Sequence, residues 1–255
     1  MKKVFIAFLT ATLFLASSPK LFAWGAVGHH LVAEIAFKYL DESTQKKVKH
    51  YLNKMSIDDA ATWMDDMRSD DYYNYMKTWH YINLKKDSVY KPVTEGNTIT
   101  VLNSILAAMK HKEKLKESQI KNYIVMAFHL VGDLHQPLHN GYPEDRGGNS
   151  VNIDAPGYSG NLHSFWDSEI IDQKKITIDS CTKFYASYTP EEIVKIQRID
   201  LVSWMYDARS YLPQAYNMKD SKVNQSYIDQ NAVVVEKQLL LGGLRLASFL
   251  KEIFN

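Results

Sequence analysis

The chain has one cysteine, Cys181, in 255 residues, which excludes an internal disulfide and leaves a hydrophobic core as the only internal staple. A chain of this length can bury such a core unaided, and Cys181 reads as one of its small side chains rather than as a reactive thiol. Excess charge is also missing: 30 Lys and Arg stand against 29 Asp and Glu, which excludes a nucleic-acid binder that works by bulk positive field. Any affinity for phosphate must come from a local site such as bound cations. Glycine (11) and proline (7) are scarce, and between His139 and Asn161 they gather in HNGYPEDRGGNSVNIDAPGYSGN, which reads as one functional loop holding a small β-hairpin near Ser150 to Asp154. Internal repeats, linkers and low-complexity segments are lacking as well.

The one long apolar run is N-terminal. Met1-Lys2-Lys3 precedes Val4 to Ala16, then Ser17, Ser18 and Pro19, with a cleavage point after Ala23. This is the pattern of a secretory signal peptide over residues 1–23, and its apolar run falls short of the roughly 18 to 20 residues that anchor a helix in a bilayer. The expectation is an exported chain, periplasmic or secreted, without stable membrane association. Removing residues 1–23 leaves 27 bases and 29 acids.

Over the rest, residues 24–255, apolar residues recur at helical spacing in Val27 to Leu40, Gln45 to Leu52, Asp58 to Met67, Ile99 to Leu115, Ile120 to Leu134, Glu191 to Leu212 and Asn231 to Phe254. Start signals are Asp41 or Ser43, Ser118 and Thr189-Pro190. The fold class expected is mainly α, one domain with a small hairpin or irregular loop.

Chemistry concentrates in His and Asp residues four apart. His129 and Asp133 share one helix face, and His163 and Asp167 repeat the pair in NLHSFWD. Alone, such a pair is more often an exposed ion pair or a hydrogen-bonded histidine. Here Gln136-Pro137-Leu138-His139 follows the first pair, and Pro137 should stop the helix and turn His139 back toward its end. Imidazole and carboxylate together suit zinc, whereas magnesium prefers oxygen throughout and a thiolate site is excluded by composition. Further candidates are His29 in WGAVGHH, Asp65 in WMDDMR and His80 in WHYIN.

The ordered set WGAVGHH, WMDDMR, WHYIN, HLVGDLHQPLH, GGN and NLHSFWD resembles the zinc-dependent S1/P1 nucleases, whose fold is shared with bacterial zinc phospholipase C. The motifs run from Trp24 to Asp167, and the helix pattern continues to the C-terminus. The resemblance implies three zinc ions: one on Asp65, His80, His129 and Asp133; one on His139, His163 and Asp167; and one on His29, Asp133 and the amino group and carbonyl of Trp24. An α-amine ligates only as a free, deprotonated chain end, so this set requires cleavage between Ala23 and Trp24. His30, His50, His111 and His135 are left over as packing or surface residues.

Clustered zinc ions acidify water and neutralise phosphate oxygens, the two needs of phosphodiester hydrolysis. Arg68 lies one helical turn after Asp65 and matches the family's phosphate-binding arginine; Asp65, Arg68 and Asn161 are the expected catalytic set. Tyr81, Asn83 and Asn149 are the expected substrate contacts: Tyr81 stands where relatives place a ring under the base, and Asn83 replaces an aspartate of a fungal relative, which leaves base preference open. Arg146 reads equally as a rim charge and as a solvated loop residue. Tyr72, Tyr73 and Tyr75 read equally as nucleotide contacts and as packing. The implied activity is endonucleolytic cleavage of single-stranded DNA and RNA to 5′-phosphates, with 3′-nucleotides as further substrates and no protein partner. The alternatives are a zinc phospholipase C, which the same cluster chemistry would serve, and a non-catalytic zinc-binding protein.

Overall fold

The computed structural model describes residues 24–255, so the expected signal peptide and its cleavage point lie outside the described residues. In chain order the helices are α1 (Ala26–Tyr39), α2 (Glu42–Leu52), α3 (Ile57–Asp66), α4 (Thr98–Met109) and α5 (Glu117–Leu134). A two-stranded sheet of β1 (Asn152–Ala155) and β2 (Tyr158–Asn161) follows, then α6 (Leu162–Ser164), α7 (Ile170–Lys174), α8 (Ile178–Thr182), α9 (Pro190–Gln197), α10 (Leu201–Arg209), α11 (Leu212–Ala215) and α12 (Gln225–Phe254). The mainly α expectation holds. None of the described helices is long and apolar enough to cross a membrane.

α5 is the axis of the molecule. Every residue from Ile124 to Leu134 is buried, because α1, α3, α4 and α12 pack around it. α12 crosses α1 closely: a Cβ on Gly243 would come within 2.3 Å of Ile35, so only glycine allows that approach. Burying α5 on all sides puts His129 and Asp133 in the core, where a charge needs a partner.

Helix starts follow local chemistry. Asp41 caps α2 by accepting from the Thr44 N–H at 2.9 Å, and Thr189 caps α9, with Pro190 in its first turn and Glu192 completing the box. Ser118 does not cap α5. It lies in the first turn, and the helix begins after Lys116, whose N–H donates to Gln119 Oε1 at 3.0 Å.

Three expected boundaries are corrected. The segment Glu191 to Leu212 is two helices, α9 and α10, with α11 beginning only at Leu212: Arg198 is extended, Asp200 accepts from the Ser203 N–H to start α10, and the Trp204 indole takes the freed Arg198 carbonyl at 3.1 Å. The segment Ile99 to Leu115 stops at Met109, since Lys110 to Lys114 offers no apolar face and ends in a short 3-10 turn. The hairpin runs beyond Asp154, with Asn152 paired to Asn161 and a two-residue turn of Pro156 and Gly157, the latter at φ +72°. β2 then feeds directly into the helical segment that carries His163.

Candidate metal centre

The ligand-bearing elements meet at the C-terminal half of α5. α5 supplies His129 and Asp133, α3 supplies Asp65, α1 supplies His29, and the turn that follows the 3-10 segment Asp71–Met76 supplies His80. As expected, α5 ends just before Pro137, and the 3-10 turn Pro137–Asn140 folds His139 back. His163 and Asp167 stand on α6 and on a π-helical turn, Phe165–Glu169, rather than on one regular α-helix. The wider turn keeps residues four apart on one side, and such turns recur at functional sites.

Asp133 lies at the centre. Its Oδ2 is 3.0 Å from His80 Nδ1 and 3.3 Å from His129 Nε2, while its Oδ1 is 3.4 Å from His29 Nε2 and 3.6 Å from the His139 ring. Asp65 Oδ1 sits 3.7 Å from His129 Nε2, and His163 Nε2 sits 3.4 Å from Asp167 Oδ2. Three groups result whose ligand atoms lie within 4.8 Å of one another: His29, His129 and Asp133; Asp65, His80 and His129; His139, His163 and Asp167. Thus the eight side chains expected as ligands all converge, each buried.

The rings are held from behind. Their Nδ1–H groups donate to backbone carbonyls: His129 to Ala61 at 2.7 Å, His139 to His80 at 2.7 Å and His163 to Gly147 at 2.6 Å. These bonds fix the tautomer and aim each Nε2 inward, the outer-shell arrangement of metal-binding imidazoles. Both nitrogens of His29, His80 Nε2, Asp133 Oδ1, His139 Nε2 and Asp167 Oδ2 are buried without a hydrogen-bond partner. Orphaned polar atoms are costly, and four of these, His29 Nε2, Asp133 Oδ1, His139 Nε2 and Asp167 Oδ2, face other members of the cluster, which fits a cation.

Burial would raise the Asp133 carboxyl, but the His129 and His139 imidazoles hold it well below the usual carboxylate range. Burial likewise opposes charge on His129, yet Asp133 and Asp65 raise it to about 9. Burial pushes His139 down to about 3 and His163 to about 4, so both are neutral near pH 7 and free to ligate. Burial raises Asp167 well above its ordinary value, with the Gln136 amide pulling the other way.

Trp24 is fully buried, and its indole donates to the Gly132 carbonyl at 2.9 Å; the next N–H, of Gly25, donates to the Asp167 carbonyl at 2.8 Å. The start of the described chain is thereby pinned beside Asp133 and Asp167 of the cluster. Arg68 reaches Asp65 Oδ1 at 3.2 Å, and its charge is felt at His163 and Asp167, which puts it at the cluster. Asn161 caps the helical segment of His163, accepting from the Ser164 N–H at 2.8 Å. Asn149 donates to the Arg146 carbonyl at 2.9 Å, while its Oδ1 is buried and unpartnered. Tyr81 and Asn83 are exposed beside His80, and Asn83 approaches Gly147.

Of the remaining histidines, His50 and His111 are exposed and His30 is half-buried. His135 is buried between the Val131 carbonyl and Arg245, away from the cluster. Cys181 is buried, and burial pushes its thiol up to about 12.

Two supporting residues escaped the sequence reading. Gln136, noted there only as part of the helix exit, donates from Nε2 to Asp167 Oδ1 at 2.5 Å and accepts from the Leu138 N–H at 2.5 Å. Arg209 on α10 donates to the carbonyls of Leu84, Lys85, Asn140 and Gly141, clamping the segment after His80 to the turn that carries His139. Neither carries a spacing signal, because each acts on backbone or ligand atoms remote in sequence.

Comparison with known proteins agrees with this geometry. The chain is 26% identical to Endonuclease 5 of Arabidopsis thaliana over 91% of its own length and 90% of that protein. It is 26% identical to Nuclease S1 of Aspergillus oryzae, with 92% and 93% covered, and 26% identical to Nuclease P1 of Penicillium citrinum, with 90% and 97% covered. The S1/P1 Nuclease family model matches residues 24–255, from the pinned Trp24 to the last residue. A match over the whole of the described chain shows that the chain belongs to the S1/P1 nuclease family.

Proposed function

We propose that the chain is an exported, zinc-dependent hydrolase that cuts single-stranded DNA and RNA to 5′-phosphate products and removes 3′-phosphates from nucleotides. The observation that carries this reading is the buried His/Asp cluster with its unpartnered inward-facing atoms beside Arg68. Five imidazoles and three carboxylates form a donor set suited to zinc. Asp65, His80, His129 and Asp133 would hold one ion, His139, His163 and Asp167 a second, and His29, Asp133 and the Trp24 chain end a third. When bound, clustered zinc supplies water acidified toward neutral pH and neutralises phosphate charge.

The chain's own residues do the rest. Arg68, its guanidinium anchored on Asp65, presents donors to phosphate oxygens. Tyr81, 39% exposed, offers a ring face to one unstacked base, and Asn83, which approaches Gly147, and Asn149, two residues along the same loop, would read its edge or sugar. Asn161 acts through its cap, holding the His163 helix in line. Export rests on residues 1–23, whose removal would also create the Trp24 amine.

Phospholipid hydrolysis is not favoured, since the relatives above carry the names of nucleases. A zinc store would not need Arg68 at the cluster. The test is hydrolysis of single-stranded DNA, RNA and 3′-AMP by protein beginning at Trp24, with EDTA-treated and zinc-restored samples alongside. Zinc-restored cleavage to 5′-phosphates is expected. A folded, zinc-loaded protein that leaves all three intact refutes the reading.

A further inference from the structure

The stretch between Asp65 and His80 begins and ends at the cluster but is longer than a direct link requires, and it is rich in tyrosine. Its rings are stacked edge to face. Tyr73 meets Trp63 of α3 at 5.5 Å and Tyr72 at 5.0 Å, and Tyr75 meets Trp79 at 5.2 Å. Tyr73 and Trp79 are partly buried on the core, so they act as a base for the other two. Tyr72 is 75% exposed and Tyr75 53% exposed, although burying such rings would be favourable. They sit on a short 3-10 turn, Asp71–Met76, which packs on the turn of Arg68, Met67–Ser69.

The nearby acids are turned to the turn itself. Asp70 accepts from the Tyr72 N–H at 2.9 Å and Asp71 from the Asn74 amide at 2.9 Å. Their charge repels phosphates, so this surface does not favour a strand by its backbone. It favours neutral, flat groups, which are the faces of unpaired bases.

Resting on the nuclease reading above, we infer that Tyr72 and Tyr75 form a stacking track for unpaired bases of the substrate strand beyond the nucleotide at the metal centre. The track engages bases only when they are unstacked from a duplex, so it adds affinity for single strands and nothing for a mononucleotide. It also adds that affinity without phosphate contacts, so its share is insensitive to salt.

The experiment compares wild type with Tyr72→Ala/Tyr75→Ala, Tyr72→Phe/Tyr75→Phe and Tyr72→Leu/Tyr75→Leu, zinc-loaded, on decathymidylate and on 3′-AMP. Stacking strengths at the lower end imply about a fivefold loss per ring, so kcat/KM for the decamer should fall about 25-fold in the alanine and leucine pairs. The phenylalanine pair should retain wild-type rates, and 3′-AMP should be cleaved alike by all four. Equal losses on both substrates, no loss on the decamer, or rescue by leucine overturns the track. Fluorescence anisotropy of labelled decathymidylate on EDTA-treated protein, at 50 and 300 mM salt, reads the same rings without turnover. Ring-dependent, salt-insensitive binding with no hydrolysis by wild type would keep the track and refute the nuclease reading instead.

Discussion

Replacing Gln136 by methionine removes one amide while nearly keeping its volume, and it should weaken one zinc of the cluster selectively. Gln136 is fully buried, and its Nε2–H donates to the Asp167 carboxylate. A hydrogen bond to a charged group is worth about 1.5 to 3 kcal/mol, equivalent to roughly 10- to 150-fold in affinity, and outer-shell partners of metal ligands cost about 10- to 100-fold when lost. Burial already raises the Asp167 carboxyl well above its ordinary value, and Gln136 opposes that rise. Without the amide the carboxyl holds its proton to higher pH, and zinc must displace that proton to bind. Titrating metal-free variant with zinc against a chromophoric chelator should show one equivalent weakened by about 10- to 100-fold at pH 7. The deficit should shrink as pH rises. Unchanged affinity of every equivalent, or a deficit equal at pH 6.5 and 8.5, would refute this reasoning.

Arg68→Ala should lower kcat/KM for 3′-AMP by about 100-fold, the usual cost of losing one donor to developing charge, with zinc content by elemental analysis unchanged; loss of zinc instead would make Arg68 a structural residue. A chain extended by one residue before Trp24 should bind one zinc fewer than the chain starting there and be inactive, and equal zinc content in the two would remove Trp24 from the ligand set. Metal-free protein should lose stability to urea as pH falls from about 6.5 toward 4. The folded state keeps His135 and His139 neutral down to about 3 and His163 down to about 4, so the unfolded chain binds more protons below 6.5 and is favoured there. On the alkaline side His129, raised to about 9, contributes stability that is lost between about 6.5 and 9, so a flat profile on both sides would contradict the burial of these rings.

The candidate His/Asp pairs were legible in the sequence because helical spacing is local. His129 with Asp133 needs only one turn of α5, and the stop before Pro137 that returns His139 is equally a matter of neighbouring residues. The pair His163 and Asp167 was read correctly as sharing a face, though the turn beneath it is π-helical. Caps at Asp41 and Thr189 were visible for the same reason, and the break after Gln197 was not, since it depends on Trp204 reaching back to the Arg198 carbonyl.

What the tertiary structure alone decided is how those local pieces face one another. The bonds from His129 to Ala61, His139 to His80 and His163 to Gly147 end on backbone carbonyls, which every residue carries, so they leave no trace in residue type. Gln136 and Arg209 act on atoms 31 and up to 125 positions away in sequence, and their partners are set by packing. The amino-acid sequence by itself determined which atoms can bind a metal, through side-chain chemistry and short-range periodicity. The burial of Asp133 at the centre of five helices, and with it the convergence of eight candidate ligands, came only from the assembled core, because dehydrating a charge is a property of its surroundings.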